Sequence, residues 1–324
     1  RSTLFPYTTL FRSEPFDGFL INFAVDFGGL RYGSPFIDRQ KHYYSMTDQP
    51  QKGTLIDDWR RELKKQFTGK QRGDIPRAKM SELPGDVRRR SFDEVNRGLT
   101  AEEALTESHR CLDCPSPNCV QGCPVGIDIP SFIKNIERGH ILDAAKVLKA
   151  TSALPAVCGR VCPQEKQCEA VCIYNKMKKP PVAIGYLERF AADYECESGQ
   201  IAIPEVASAN GIKIAVAGSG PAGLSFAGEM AKYGYEVTVF EALHEIGGVL
   251  KYGIPEFRLP NKIIDVEIDT LRKIGVKFVT NCIVGKTISF DELKRRGFRA
   301  LFVASGAGLP KTVQIGRASC RERV

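Results

Sequence analysis

The chain has 324 residues, 43% of them hydrophobic, and 46 Lys and Arg against 38 Asp and Glu give a formal charge of +8. That length holds two domains with cores of their own, and no apolar run approaches the ~18 residues of a membrane helix. Residues 51–90 concentrate the charge, with twelve Lys and Arg against six acids, and they hold Trp59 but no aromatic ladder. This argues against nucleic-acid binding and for a solvated arm or an acidic partner.

Both ends look foreign. Residues 1–13 and 316–324, the latter with Cys320, have no periodicity and resemble translated sequencing-adapter sequence rather than targeting peptides. Without them the charge is about +4. Residues 14–54 are aromatic and Gly-rich without a clear period, and poor order is expected there. A short amphipathic helix is expected over 55–66, then an extended basic segment around Pro76 and Pro84. Thr100 and Glu103 form a capping box that starts a helix to about Arg110. Helical spacing returns over 129–138, where Phe132, Ile133 and Ile136 precede Gly139, and again over 141–149 and 183–194.

Eight of the eleven cysteines lie between these helices. Cys111, Cys114, Cys119 and Cys123 read C-x2-C-x4-C-x3-C-P, close to the ferredoxin run in which three thiolates hold one cluster and a Pro-flanked fourth reaches another. The second quartet is Cys158, Cys162, Cys168 and Cys172. Structural zinc favours paired knuckles without the x3-C-P ending, and disulfides need an oxidising compartment that nothing here signals. Two [4Fe–4S] clusters are therefore expected. By spacing, Cys111, Cys114 and Cys119 share one with Cys172, and Cys123 crosses to Cys158, Cys162 and Cys168.

Residues 197–211 mix Gly, Ser, Pro and Asn and read as a linker. After it the pattern becomes α/β. A buried strand over Lys213–Ala217 runs into Gly218, Ser219, Gly220, Pro221, Ala222 and Gly223, then a helix to about Tyr233 and a strand over Glu236–Phe240 that ends at Glu241. G-x-G-x-x-G between strand and helix, with an acid 18 residues beyond its third Gly, is a dinucleotide fingerprint. Its glycines let the backbone approach a pyrophosphate at the helix N-terminus, and Glu241 accepts from a ribose hydroxyl while repelling a 2′-phosphate, so FAD or NAD is expected. A helix over 263–274, a strand over 276–280, a short helix over 291–296 and a buried strand over 300–304 follow. A sheet cut after that last strand would expose an apolar edge prone to aggregation. His42, His109, His140 and His244 form no HExxH pair, and no G-x-S-x-G elbow is present.

From about 55 to 314 the chain resembles the small, NADPH-oxidising subunit of glutamate synthase and its relatives. These include the large subunit of the electron-bifurcating NADH-dependent ferredoxin–NADP oxidoreductase and the N-terminal half of dihydropyrimidine dehydrogenase. The likeness rests on the eight-cysteine spacing, Ile184-Gly-Tyr-Leu-Glu-Arg189, the glycine fingerprint, Glu241, Gly247-Gly248-Val-Leu250 and Tyr252-Gly-Ile-Pro-Glu-Phe-Arg-Leu-Pro260. The resemblance implies that Gly218 to Gly223, Glu241, Gly247, Gly248, Leu250 and Arg258 contact FAD, with Val284 near the adenine. It also implies that Glu188 replaces Cys158 in the second cluster, leaving Cys158 a free thiol. The family places an NADPH domain after a stretch like 306–310. This sequence has no second fingerprint, so the FAD fold is expected to be incomplete and the chain inactive alone.

The expected architecture is a helical two-cluster ferredoxin-like domain (55–196), a linker (197–211) and a partial Rossmann-type FAD domain (212–315). The expected function is cytoplasmic electron transfer between NADPH, FAD, two [4Fe–4S] clusters and a partner, such as the glutamate synthase large subunit or another flavin or ferredoxin protein. The alternatives are the bifurcating oxidoreductase subunit and a non-catalytic electron relay.

Overall fold

In the computed structural model, residues 24–26 and 58–306 are described. The first part of the chain is helical. α1 (Asp58–Gln66) and α2 (Gly69–Asp74) lead through a turn at α3 (Gly85–Arg88) to α4 (Ala101–His109). After α5 (Asn118–Gln121), α6 (Ile129–Glu137) and α7 (Ile141–Thr151) form a hairpin. α8 (Pro155–Val161), α9 (Ile173–Lys176) and α10 (Ile184–Ser198) complete this part.

Local chemistry sets these boundaries. The Thr100 side chain accepts from the Glu103 N–H and the Glu103 side chain from the Thr100 N–H, so the capping box forms as read. The Asp128 side chain caps α6, and Gly139, at φ +80°, turns the chain out of it. Gly199, at φ +69°, ends α10.

The second part is a sheet with order β1-β5-β2-β3-β4. It contains β1 (Ala24–Asp26), β2 (Lys213–Ala217), β3 (Glu236–Phe240), β4 (Lys277–Val279) and β5 (Phe298–Val303). α11 (Pro221–Lys232), α12 (Val249–Tyr252), α13 (Asn261–Lys273) and α14 (Phe290–Arg295) connect them. Strands β5, β2, β3 and β4 are parallel neighbours, which is the first half of a doubly wound Rossmann sheet. β2 and β5 flank the point where the chain reverses direction across the sheet, and the glycine loop lies there.

Three expectations change. First, β5 is not an edge: Ala24–Asp26, in a region read as poorly ordered, pairs antiparallel to it, Val25 opposite Leu301. Second, the basic arm is solvated only in part: Arg61, Lys65, Lys70, Lys79, Arg88, Arg89 and Arg90 are exposed, but two of its guanidiniums turn inward. Arg72 is buried and ion-paired with Glu137 at 2.8 Å, while Arg77 meets Glu169 at 2.7 Å. These guanidiniums find their acidic partners inside the chain. The segment around Pro76 and Pro84 is also shorter as an extended run than its composition implies, because α2 and α3 interrupt it. Third, although each part has a buried cluster of its own, the two parts also share one across the linker. Leu154, Ala156, Val157 and Ala192 of the helical part share one buried cluster with Val216, Leu224, Ile264, Ile268 and Leu271 of the sheet part.

Helices α8 and α10 meet at their backbones. A Cβ on Gly159 would lie 2.6 Å from the Arg189 backbone nitrogen and 2.7 Å from its Cα, distances that real side chains do not reach. Gly159→Ala should therefore lower stability by about 1–3 kcal/mol, the usual cost of overpacking. Gly85→Ala, with nothing within 4 Å and no left-handed backbone, should be near neutral. Denaturant unfolding of both variants checks this, and equal stability would refute the contact.

Candidate cofactor sites

The fold sorts the cysteines into two groups. Cys111, Cys114, Cys119 and Cys172 line one cavity of about 90 Å³ together with Ile133 and Tyr174. A single buried water needs only about 10–15 Å³, so this space suits a far larger group. Burial pushes the Cys111 thiol up to about 11, against the pull of Lys134, and the Cys119 thiol up to about 12, helped by Cys111, Cys172 and Cys114. Such thiols surrender their protons to a metal rather than to water.

Buried cations brace the loop from below. Lys134 Nζ donates to the Cys111 carbonyl at 2.7 Å and to Glu137. Arg110, 1% exposed, donates to Glu107 and to the Ile75, Pro180 and Pro181 carbonyls. Between Cys111 and Cys114, Asp113 takes a left-handed φ of +50° and is ion-paired to Arg60 and Lys64. The C-x2-C turn needs that backbone, which Asp tolerates better than most residues. Asp113, Arg60, Lys134 and Arg110 were missed in the sequence; an acid inside a C-x2-C loop was the available signal.

The second group is Cys123, Cys158, Cys162 and Cys168, with Glu188 among them. Cys123 reaches it because Gly122 has no side chain: a Cβ there would lie 2.6 Å from Val171 Cγ2 and 3.3 Å from Cys168 Cα. Burial raises the Cys123 and Cys168 thiols, and Glu188 raises both further. Cys158 and Cys162 lie one turn apart on α8, the Cys162 N–H donating to the Cys158 carbonyl at 3.1 Å. A thiol hydrogen bond between them lowers Cys162 and raises Cys158.

Glu188 is the unusual member. It is 5% exposed, and its Oε1 has no hydrogen-bond partner. Burial pushes its carboxyl well above the usual range, with Cys162 and Glu267 adding to the effect. An orphaned buried carboxyl oxygen facing cysteines is the donor set a metal group completes. Beside it, Arg160 and Arg189 each pair with both Glu94 and Asp193, which ties α8 to the middle of α10. Among the described residues no three His, Cys, Asp or Glu side chains converge closely enough for a single metal ion.

The glycine loop forms a third site. Gly218, at φ +104°, lies against β5, where a Cβ would come within 2.4 Å of the Ala304 carbonyl oxygen. A Cβ on Gly223 would lie 2.0 Å from the Gly218 carbonyl oxygen, so α11 packs tightly on β2. Gly220 differs: nothing lies within 4 Å of its Cβ position, and it caps α11 without a side-chain hydrogen bond. The three positions divide the work a pyrophosphate loop requires: turn, open approach and close packing. Pro221 and Ala222 form the first turn of α11.

Glu241 ties the loop together. Its Oε2 accepts from the Ser219 N–H at 2.8 Å and from the Ser219 hydroxyl, and its Oε1 accepts from the Leu243 N–H at 2.9 Å. Ser219 Oγ in turn accepts from Gly247 N–H at 2.9 Å, and a Cβ on Gly248 would lie 2.8 Å from Gly220 Cα. Leu250 is buried in the core behind this knot. Arg258 is exposed between α12 and α13, and Val284 is half-buried against the cluster that contains Phe240 and Phe298. The structure thus gathers nine of the twelve nominated residues at the loop, with Leu250 behind it and Arg258 and Val284 on other segments.

Two groups of buried thiols on a helical frame are thus joined to a Rossmann-like sheet that carries a dinucleotide-type glycine loop. Residues 88–200 match the dihydropyrimidine dehydrogenase domain II, 4Fe-4S cluster family, and residues 216–274 match the NAD(P)-binding Rossmann-like domain family. The chain is 38% identical over 223 residues to the NAD-dependent dihydropyrimidine dehydrogenase subunit PreT of Escherichia coli (strain K12), covering 68% of this chain and 53% of that protein. It is 34% identical over 223 residues to the glutamate synthase [NADPH] small chain of Azospirillum brasilense, covering 69% and 46%. The Escherichia coli (strain K12) glutamate synthase [NADPH] small chain is 34% identical over 241 residues, covering 74% and 50%. The chain is similar to the glutamate synthase small chains and PreT subunits, and spans about half the length of these curated proteins. No described helix is long and apolar enough to cross a membrane.

Gly220→Ala separates fold from ligand. Its backbone, at φ −65°, accepts alanine and its Cβ meets open space, so the melting temperature should stay within about 1 °C of wild type, since no contact is lost. Flavin retention should fall at least about tenfold, because the methyl fills the space a pyrophosphate needs. Unchanged flavin fluorescence titration would remove the loop from the binding site.

Proposed function

We propose that the chain carries the iron–sulfur and flavin-binding parts of an NADPH-linked oxidoreductase of the glutamate synthase small-subunit type. In this reading Cys111, Cys114, Cys119 and Cys172 hold one [4Fe–4S] cluster, and Cys123, Cys162, Cys168 and Glu188 hold the second. FAD lies on Gly218 to Gly223, with Glu241 offering its remaining acceptor capacity to a ribose hydroxyl. A flavin accepts electrons in pairs from a nicotinamide and releases them singly to iron–sulfur groups. The chain's own residues hold the ligands dry, fix their spacing and place the glycine loop on the same core. The partner is a large subunit or another flavin or ferredoxin protein in the cytoplasm.

The observation that carries this reading is the exchange of last members between the quartets. Cys172 lines the cavity of Cys111, Cys114 and Cys119, while Cys123 faces Cys168 and Glu188. Two separate zinc knuckles would have no need of such a crossing.

Cys158 and Glu188 supply the test. Cys158→Ser should leave both clusters in place, whereas Glu188→Ala should alter the second, because ligand type and local charge set a cluster's potential. Iron content and electron paramagnetic resonance of both reconstituted variants decide the matter. Loss of a cluster in Cys158→Ser beside a native Glu188→Ala would establish an all-cysteine second site instead.

A further inference from the structure

Glu267 is a buried acid that is not among the candidate ligands above. It lies on α13, in the sheet part, and is 3% exposed. Its Oε1 accepts from the Ala156 N–H at 2.8 Å, a bond between residues 111 positions apart. α8 lacks such an acceptor of its own. Its N-cap is Leu154, which has no side-chain oxygen, and Pro155 at the first position has no N–H, so Ala156 offers the first free amide. A buried amide left unpaired is costly, and here the neighbouring part of the molecule satisfies it.

α8 is also the helix that carries Cys158 and ends at Cys162. Gly159 presses its other side onto the Arg189 backbone, next to Glu188. The helix is thus held between two fixed points, Arg189 on α10 and Glu267 on α13. At about 1.5 Å per residue, Ala156 stands only about 9 Å along the axis from Cys162, so a shift at one end is felt at the other. Glu267 also bears on Glu188 electrostatically, among Lys149, Arg160 and Glu195 as its other charged neighbours.

We propose that Glu267 is a positioning residue through which the nucleotide-binding part fixes the helix whose C-terminal end presents the second-cluster ligand Cys162. The inference rests on reading Cys123, Cys162, Cys168 and Glu188 as a cluster site. Glu267→Gln keeps an acceptor oxygen toward Ala156, whereas Glu267→Leu keeps the volume without it.

The full chain, reconstituted with iron and sulfide, is compared for cluster content, electron paramagnetic resonance, midpoint potentials and the rate at which a chelator strips each cluster. The Gln variant should keep the wild-type spectra. In the Leu variant the second signal should shift and its cluster be stripped about 10- to 100-fold faster, the usual cost of losing an outer-shell partner. The signal from the Cys111 group should stay native. Should Leu fail to fold, Glu267→Asp, one methylene short of the amide, should show the same selective shift. Native spectra in the Leu variant, or equal disturbance of both clusters, would overturn the inference alone. Wild-type protein that takes up only one cluster would overturn the cluster reading and the inference with it.

Discussion

Removing acids from water is the constraint on which this structure turns. Burial raises the Cys111, Cys119, Cys123 and Cys168 thiols and the Glu188 carboxyl, because a lone anion in the interior is costly. The helical part answers with fixed cations rather than with solvent. Lys134 and Arg110 sit under the first cysteine loop, and their own charges are met by Glu137, Glu107 and backbone carbonyls. Every member of that network has a partner, which is what makes a buried polar network stable. Glu188 Oε1, by contrast, has no hydrogen-bond partner, and it lies at the second group of cysteines.

Close approach does the remaining work. Helices of four to fifteen residues cannot hold side chains to cluster tolerances by length alone. They do so where side chains are missing: Gly122 lets the first loop reach Cys168, and Gly159 lets α8 touch α10. Inside a helix a glycine costs up to about 1 kcal/mol in propensity, so its presence in α8 signals a packing requirement.

Much of this was legible in the residues. The Thr100 capping box, Gly139 as a stop, and strands Lys213–Ala217 and Glu236–Phe240 were readable because each rests on local chemistry or a clean period. The glycine fingerprint was readable for the same reason. α8 was not: it has seven residues, starts at a proline and has no amphipathic period, so only its neighbours reveal it. Nor could composition show that Arg72 and Arg77 turn inward, since the acids they meet lie 65 and 92 residues away. The Ala24–Asp26 strand depends wholly on a partner at Ala300–Phe302, a pairing that no local pattern encodes.

The shared core between the helical and sheet parts has a thermodynamic meaning. Val157 and Ala192 pack in the same cluster as Leu224, Ile264 and Leu271, so the two parts cannot swing apart without wetting apolar surface. Metal binding at a site of buried thiols is folding free energy. Through this common core that free energy is not confined to the helices that hold the cysteines. Free energy gained at the thiol sites would reach the sheet and its glycine loop through the same packed side chains.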